Sequence, residues 1–172
     1  MPKDASSKSL RAAGKAAAGC FTIDSDLKQI VESGVAVLVG TGDAQHRPHV
    51  TYGWGPRVRE DGSTIDVFLD APRAAQTLAN ARANRRVAMT VAHPIAVRSV
   101  QFKGDFIDDG VATDEDIAWV QRHREAFVVS TSLIGDPPEI ISRMWMDEVV
   151  RVSFMVEAAF DQSPGPNAGR PL

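Results

Sequence analysis

The side chains best suited to bind an anion lie at the start of a predicted helix. Arg73 follows a short apolar strand and stands in the first turn, where backbone N–H groups have no intrahelical partner. Its guanidinium adds a fork of donors that fits a phosphate, and Gln76 and Thr77 add neutral donors in the same turn. The pattern predicts an anion site, although a surface arginine at a helix start has the same sequence.

A second set of polar residues alternates along a predicted strand. Ser99, Gln101 and Lys103 share one face of this strand, while Val100 and Phe102 face the core. Such a row can hydrogen-bond the edge of a heteroaromatic ring, but a solvent-facing strand shows the same alternation. The residues alone leave both interpretations open.

Trp54 is the aromatic residue best placed to contact a ligand. It lies between Gly53 and Gly55, which allow a backbone or a ligand to approach closely. The indole either stacks on a planar ligand or packs in the core.

Metal and nucleophile chemistry have little support. His46 and His49 are three residues apart where a turn meets a strand, which sends them to opposite faces, and no third metal ligand is apparent. His123 has an arginine on each side and is predicted to lie on a solvated helix face. The one cysteine, Cys20, excludes an intramolecular disulfide and is predicted to be an incidental thiol. No metal site and no catalytic residue are predicted.

Composition narrows the class of protein further. The chain has 172 residues, of which 44% are hydrophobic and 24% charged, which favours one domain with an ordinary core. A net charge of −3 gives no long-range attraction to nucleic acid or to an anionic membrane. With no apolar run of the ~18 residues that a membrane span needs, and no secretory signal, we expect a cytoplasmic protein.

The elements that would position these residues follow from periodicity and turn signals. Residues 1–20 lack hydrophobic periodicity and are predicted to form a disordered arm, which leaves residues 21–172 as one domain. In order, we predict a short helix after residues 22–25, strands at 35–39, 48–54 and 64–69, a helix entered at 70–73, strands at 86–91 and 99–106, a long helix capped at 113–116, a short helix near 140–144 and a last strand at 149–156. Six strands with short connections indicate an α+β domain around an antiparallel barrel.

Taken in order, these segments resemble the pyridoxamine 5'-phosphate oxidase-like proteins. Residues 33–41 and 47–50 resemble the family's first hairpin, residues 77–88 its helix and following strand, and residues 100–104 its polar strand ending in glycine. Residues 160–166 resemble a C-terminal signature of an uncharacterised branch. The likeness covers residues 22–172.

The resemblance implies a split β-barrel homodimer that binds FMN in clefts at the subunit interface and acts as a flavin-dependent oxidoreductase on a small molecule. By position, it places the phosphate at Thr51 and Arg73, the ring at Ser99 and Gln101, and Phe68 at the strand edge. The predicted cofactor site consists of Thr51, Trp54, Phe68, Arg73, Gln76, Thr77, Ser99, Gln101 and Lys103. Simple hydride transfer needs no further catalytic group beyond the flavin.

The chain departs from the true oxidases at two points. They carry a Ser-Arg-Lys run at the helix start, where this chain has Pro72-Arg73-Ala74, and its second strand has no basic residue beside Thr51. These differences argue against oxidation of pyridoxamine phosphate itself. Some relatives are similar to haem-handling or deazaflavin-using proteins, so haem and deazaflavin stay as alternatives to FMN. A non-enzymatic binding or sensing protein, or a barrel that only dimerises, stays as an alternative to an enzyme.

Overall fold

The computed structural model describes residues 21–144 and 146–172. The predicted arm at residues 1–20, with Cys20, lies outside these ranges. The elements are α1 (Ser25–Glu32), β1 (Ala36–Gly42), β2 (Pro48–Val58), β3 (Thr64–Asp70), α2 (Ala75–Asn84), β4 (Arg86–His93), β5 (Arg98–Val111), α3 (Asp114–Ser132), α4 (Pro138–Ser142) and β6 (Val149–Asp161). Their order is the predicted one, but β2, β5 and β6 run longer than predicted and α2 begins later.

The six strands form one closed antiparallel barrel in the order β1-β2-β3-β6-β5-β4, and β4 pairs back onto β1. The predicted antiparallel barrel with flanking helices is therefore confirmed. Successive side chains of a strand face opposite sides, and the inward set fills the barrel with apolar residues such as Val39, Val67, Met89, Phe102 and Phe154, all without exposed surface. Burial of each such side chain contributes about 1.5–3 kcal/mol.

The outer side of β1 is open to solvent, although the glycine-bounded apolar run at residues 35–39 predicts a strand buried on both faces, and this prediction is wrong. Leu38 is 41% exposed, and Tyr52, its partner in the β1–β2 register, is 62% exposed. Val50, on the same side of β2, is 57% exposed. The sequence at residues 35–39 shows no alternation of polar and apolar residues, because the residue that faces outward, Leu38, is apolar too. The surface defined by Leu38, Val50 and Tyr52 is called the outer face below.

The helices begin where the sequence supplies caps. The Asp24 carboxylate accepts the N–H of Leu27 at 2.9 Å before α1, and Thr113 and Asp116 form a reciprocal capping box at the start of α3. The predicted capping role of the acidic residues at α3 is thus confirmed. Ala74, at the N-cap of α2, makes no side-chain cap. None of the helices in the described ranges is long and apolar enough to cross a membrane.

Helix α3 packs against β2 at a glycine. Gly55 has φ +51°, and a Cβ there would lie 3.0 Å from the side chain of Val120. Trp119 Nε1 donates to the Gly55 carbonyl at 2.8 Å. The close approach expected next to Trp54 is therefore made by a helix of the same chain.

A buried carboxylate ties β2, β3 and β6 together on another side of the barrel. Asp66 accepts hydrogen bonds from Arg59 Nε at 3.0 Å and from Ser153 Oγ at 2.6 Å, and Arg57 and Arg151 each lie within 3.5 Å. Burial alone would raise the pKa of Asp66, but the hydrogen bonds and positive charges outweigh burial and lower it. This cluster is structural and is separate from the pocket described next.

Candidate functional site

A pocket of about 320 Å³ opens beside β2. Four parts of the chain enclose it: β2, the end of β3, the turn before α2, and the segment after α4. The lining residues are Thr51, Tyr52, Trp54, Asp70, Arg73, Arg143, Met144 and Met146. Three residues of the predicted cofactor site, Thr51, Trp54 and Arg73, thus lie around one pocket.

Asp70 connects two sides of this pocket. Its Oδ2 lies 2.9 Å from Arg73 Nη1, and its Oδ1 accepts the backbone N–H of Asp147 at 2.9 Å and that of Glu148 at 3.4 Å. The carboxylate is largely buried at the end of β3. One side chain therefore orients Arg73 and also fixes the segment that carries the methionines.

The pocket has two guanidinium groups. Arg73 belongs to the turn that leads into α2, and its side chain is 63% exposed. Arg143 lies at the C-terminal end of α4 and is exposed. The two guanidiniums form a donor set that matches the oxygen atoms of a phosphate or carboxylate, and Thr51 also lines the pocket.

Trp54 forms an apolar wall of the pocket and is also part of the core. It is 6% exposed and belongs to a cluster with Phe68, Val120 and Met146 on the outer side of the barrel. Trp54 therefore packs in the core and also lines the pocket, and its stacking on a ligand stays a prediction. Phe68 has no exposed surface, so within one chain it supports the pocket wall and does not line the pocket.

His123 is buried against this wall, and its predicted place on a solvated face was wrong. It is 5% exposed, and its ring lies edge-on to Trp54 with 6.3 Å between centroids. Neither ring nitrogen has a hydrogen-bond partner within the part of the chain that the structure describes. Burial lowers the pKa of His123 to about 4, so the imidazole is neutral at neutral pH. The face of α3 that carries Val120 and Phe127 also carries His123, and the flanking arginines concealed this.

The other two predicted residues near Arg73 are Gln76 and Thr77, which lie in the first turn of α2. Gln76 is exposed and donates to Asn80 Oδ1 at 2.8 Å. Thr77 is 1% exposed, and its hydroxyl has no partner among the residues described. Neither residue lines the pocket in this structure.

The polar row on β5 is elsewhere on the barrel. Val100 and Phe102 are buried as predicted, and the row has its own contacts. Ser99 Oγ donates to a β4 carbonyl at 3.1 Å, and Gln101 Nε2 donates to Thr90 at 3.2 Å. Lys103 Nζ lies 4.8 Å from the ring centroid of an aromatic residue on β6.

Within one chain, the β5 row and the pocket are not brought together. In the closed barrel β5 lies opposite β2, with β1 and β4 between them on one side and β3 and β6 on the other. The β5 row does not line the pocket of its own chain. The roles of Ser99, Gln101 and Lys103 stay predictions.

Five lining residues were absent from the sequence prediction. Tyr52 and Asp70 are close in sequence to predicted residues, and strand alternation could have placed Tyr52 near Trp54. Arg143, Met144 and Met146 had no local signal, because hydrogen bonds to the distant Asp70 set the position of their segment.

Comparison with known proteins identifies the architecture. No family model matches the sequence, and no curated protein matches it. A crystal structure of HupZ from Group A Streptococcus superposes with a TM-score of 0.53 at 19% identity, over 86% of this chain and 100% of that chain. The chain has the split-barrel fold of the pyridoxamine 5'-phosphate oxidase-like proteins. A HupZ variant gives a TM-score of 0.51 at 17% identity, over 81% of this split barrel and 99% of that chain.

A structure described as an FMN-binding protein from Syntrophomonas wolfei gives a TM-score of 0.49 at 10% identity, over 79% of this chain and 86% of that one. The two HupZ superpositions establish the fold, and a fold by itself does not determine activity. The sequence resemblance is confirmed at the level of the split barrel. The activity has to be argued from the pocket.

Proposed function

We propose that this split barrel binds FMN and uses it as a flavin-dependent oxidoreductase on a small molecule. The observation that carries the proposal is the meeting of Thr51, Trp54 and Arg73 around one pocket. Thr51 and Trp54 lie on β2 and Arg73 lies in the turn before α2, and the resemblance implicates Thr51 and Arg73 in holding a flavin phosphate.

The donor set fits the phosphate end of the cofactor. The guanidinium groups of Arg73 and Arg143 can each donate two parallel hydrogen bonds to an anion, and Thr51 has a hydroxyl. The first turn of α2 follows Arg73 directly, and the N-cap residue Ala74 provides no side-chain cap for its N–H groups. Unpaired N–H groups at a helix start favour an anion nearby.

The rest of the lining fits an aromatic ring system. Trp54 and Tyr52 provide aromatic surfaces, and Met144 and Met146 provide polarisable thioethers that adapt to a flat ligand. A volume of about 320 Å³ lies at the lower end of the range for small-molecule pockets, roughly 300–1,000 Å³. We infer that the pocket encloses part of the FMN and that the remainder extends over the adjoining surface.

That adjoining surface favours a second copy of the chain. The outer face exposes Leu38, Val50 and Tyr52 side by side, and Tyr52 also lines the pocket. Exposed apolar patches of this kind mark interaction surfaces. We propose a homodimer formed through the outer face, with the cofactor at the subunit interface and the β5 row of one copy near the ring bound by the other.

In this proposal, bound FMN accepts and donates hydride equivalents, and the protein binds and orients it. Arg73 and Thr51 hold the phosphate, and Asp70 keeps Arg73 in place. Trp54 and the methionines exclude water from one side of the ring. We assign no residue of the chain to proton transfer.

The test is the cofactor content and thermal stability of the purified full-length protein. We expect flavin absorbance after reconstitution with FMN and a rise in melting temperature with FMN concentration, because a ligand that binds only the folded state stabilises it. Deazaflavin and haem serve as competing ligands in the same assay. Stabilisation by haem or deazaflavin with no response to FMN would overturn the proposal.

A further inference from the structure

The pocket holds a basic residue that the sequence did not indicate. Arg143 lies at the end of α4 next to Met144, and both line the pocket together with Thr51 and Arg73. The second strand has no basic residue beside Thr51. Arg143 therefore brings a positive charge to the pocket from a different part of the fold.

The charge of Arg73 is offset inside the pocket. Its Nη1 lies 2.9 Å from Asp70 Oδ2, and Asp70 is only 7% exposed. This ion pair adds hydrogen-bond donors to the pocket but no net charge. A phosphate monoester carries between one and two negative charges at pH 7, so a further positive group in the pocket would strengthen its binding.

Among residues 21–144 and 146–172, the pocket lining has no carboxylate besides Asp70. Since Asp70 pairs with Arg73, the charge of Arg143 has no such offset within this lining. Asp147 and Glu148 are near in sequence but are exposed and do not line the pocket. Arg143 therefore leaves the lining with a net charge of about +1, counting Arg73 and Asp70 as a neutral pair.

The position of Arg143 is set by the same carboxylate that holds Arg73. Asp70 Oδ1 accepts the N–H groups of Asp147 and Glu148 and so attaches the segment after α4 to the end of β3. Met146, between Arg143 and this attachment, is 3% exposed and packs in the Trp54 cluster. Arg143 thus extends from an anchored segment.

We propose that Arg143 acts with Arg73 to select a phosphate monoester over its uncharged analogue at this site. In this role Arg143 supplies the positive charge that no residue beside Thr51 provides, while the pair of Arg73 and Asp70 contributes directed hydrogen bonds. The inference rests on the proposed binding of FMN in this pocket.

The experiment compares FMN with riboflavin, which lacks the phosphate. Both are titrated into the full-length wild-type protein and into the variants Arg143→Gln and Arg143→Lys, at low and at physiological ionic strength. Arg122→Gln is the matched control, because Arg122 is an exposed arginine on α3 that makes the same charge change outside the pocket.

We expect Arg143→Gln to weaken FMN binding about tenfold or more, as for loss of a charged hydrogen bond, and to change riboflavin binding less than about twofold. Arg143→Lys should keep most of the preference, and Arg122→Gln should keep all of it. The preference of the wild type should also decrease with salt, since salt screens an exposed charge.

Each other outcome has a distinct meaning. A wild type that binds neither flavin overturns the proposed function and this inference together. A wild type that prefers FMN, with the preference intact in Arg143→Gln, overturns this inference and leaves the proposed function standing. Equal losses for FMN and riboflavin, in the glutamine and lysine variants alike, would assign Arg143 a packing role and also overturn the inference.

Discussion

Arg73 Nη1 and Asp70 Oδ2 are 2.9 Å apart, and this ion pair joins the end of β3 to the turn that leads into α2. The sequence predicted that Arg73 binds an anion. In the structure its partner is the Asp70 carboxylate of the same chain. The other oxygen of Asp70 holds the Asp147 amide. The pocket is therefore organised around a carboxylate that competes with a bound phosphate for Arg73.

Removing the charge of Asp70 tests this competition. Asp70→Asn keeps an oxygen that accepts the Asp147 N–H but no longer offsets Arg73. We expect the ratio of FMN affinity to riboflavin affinity to rise severalfold, and the free energy of unfolding to fall by about 1 kcal/mol, because the arginine is mostly exposed and its pair is screened. Titration calorimetry and urea unfolding measure the two effects.

The control for this change is Asp109→Asn, since Asp109 pairs with Arg82 away from the pocket. It should lower stability by a similar amount and leave both flavin affinities as they are. A decrease in FMN preference in Asp70→Asn would show that the orientation of Arg73 by Asp70 matters more for phosphate binding than the charge of Arg73 that Asp70 offsets.

His123 makes the stability of the domain depend on pH. Burial lowers its pKa from 6.5 to about 4, so below pH 6.5 the unfolded chain gains a proton that the folded chain does not take up until near pH 4. The free energy of unfolding should therefore fall as the pH decreases from 6.5 to 4, by about 1.4 kcal/mol per pH unit and about 3 kcal/mol in total. Urea unfolding at several pH values measures this slope.

The variant His123→Phe should reduce this slope between pH 6.5 and 4. His46→Asn is the control, because His46 is exposed and its φ of 60° is one that asparagine tolerates. If the slope of His123→Phe equals that of the wild type, the imidazole is not protected from protonation in the folded state.

Variants of Phe68 and Met144 should distinguish a residue that supports the pocket wall from one that contacts the ligand. Phe68 is fully buried and Met144 lines the pocket. Phe68→Leu should lower the free energy of unfolding by about 1 kcal/mol and change FMN affinity little. Met144→Ala should weaken FMN binding severalfold with a smaller loss of stability. The reverse pattern, from thermal unfolding and FMN titration, would place the flavin against Phe68 instead.

The barrel could be predicted because its signals are local. The alternation at Ser99–Lys103 and the capping box at Thr113 and Asp116 each depend on a few adjacent residues. Their structures follow the expectation. The order of these segments then sufficed to indicate the split barrel.

The parts that the sequence missed depend on long-range contacts. Arg143 reaches the pocket through a hydrogen bond between residues 77 positions apart. His123 is buried because α3 packs on β2 through Gly55, although charged neighbours favour an exposed face. Leu38 is exposed because nothing in the described chain covers the outer face of β1, and an apolar run carries no information on which side is covered.

The exposed apolar residues of the outer face predict that the protein forms a dimer in solution. We expect the wild type to be a dimer and Val50→Glu to shift it to a monomer, because a buried unpaired charge opposes association. Val111→Glu is the control, since Val111 is 87% exposed and lies on β5. Sedimentation velocity at several concentrations measures the change. A monomeric wild type, or a Val50→Glu variant that stays dimeric, would contradict the proposed interface.

The most direct test of the central claim is the affinity of the Arg73→Ala variant for FMN and for riboflavin, measured by titration calorimetry against the wild type. Arg73 is expected to bind the phosphate, and its loss also leaves the Asp70 charge without its arginine partner. We predict that FMN binding weakens by about ten- to a hundredfold, with riboflavin binding changed less than about threefold. Equal losses for the two flavins, or no binding of FMN to the wild type, would contradict the account.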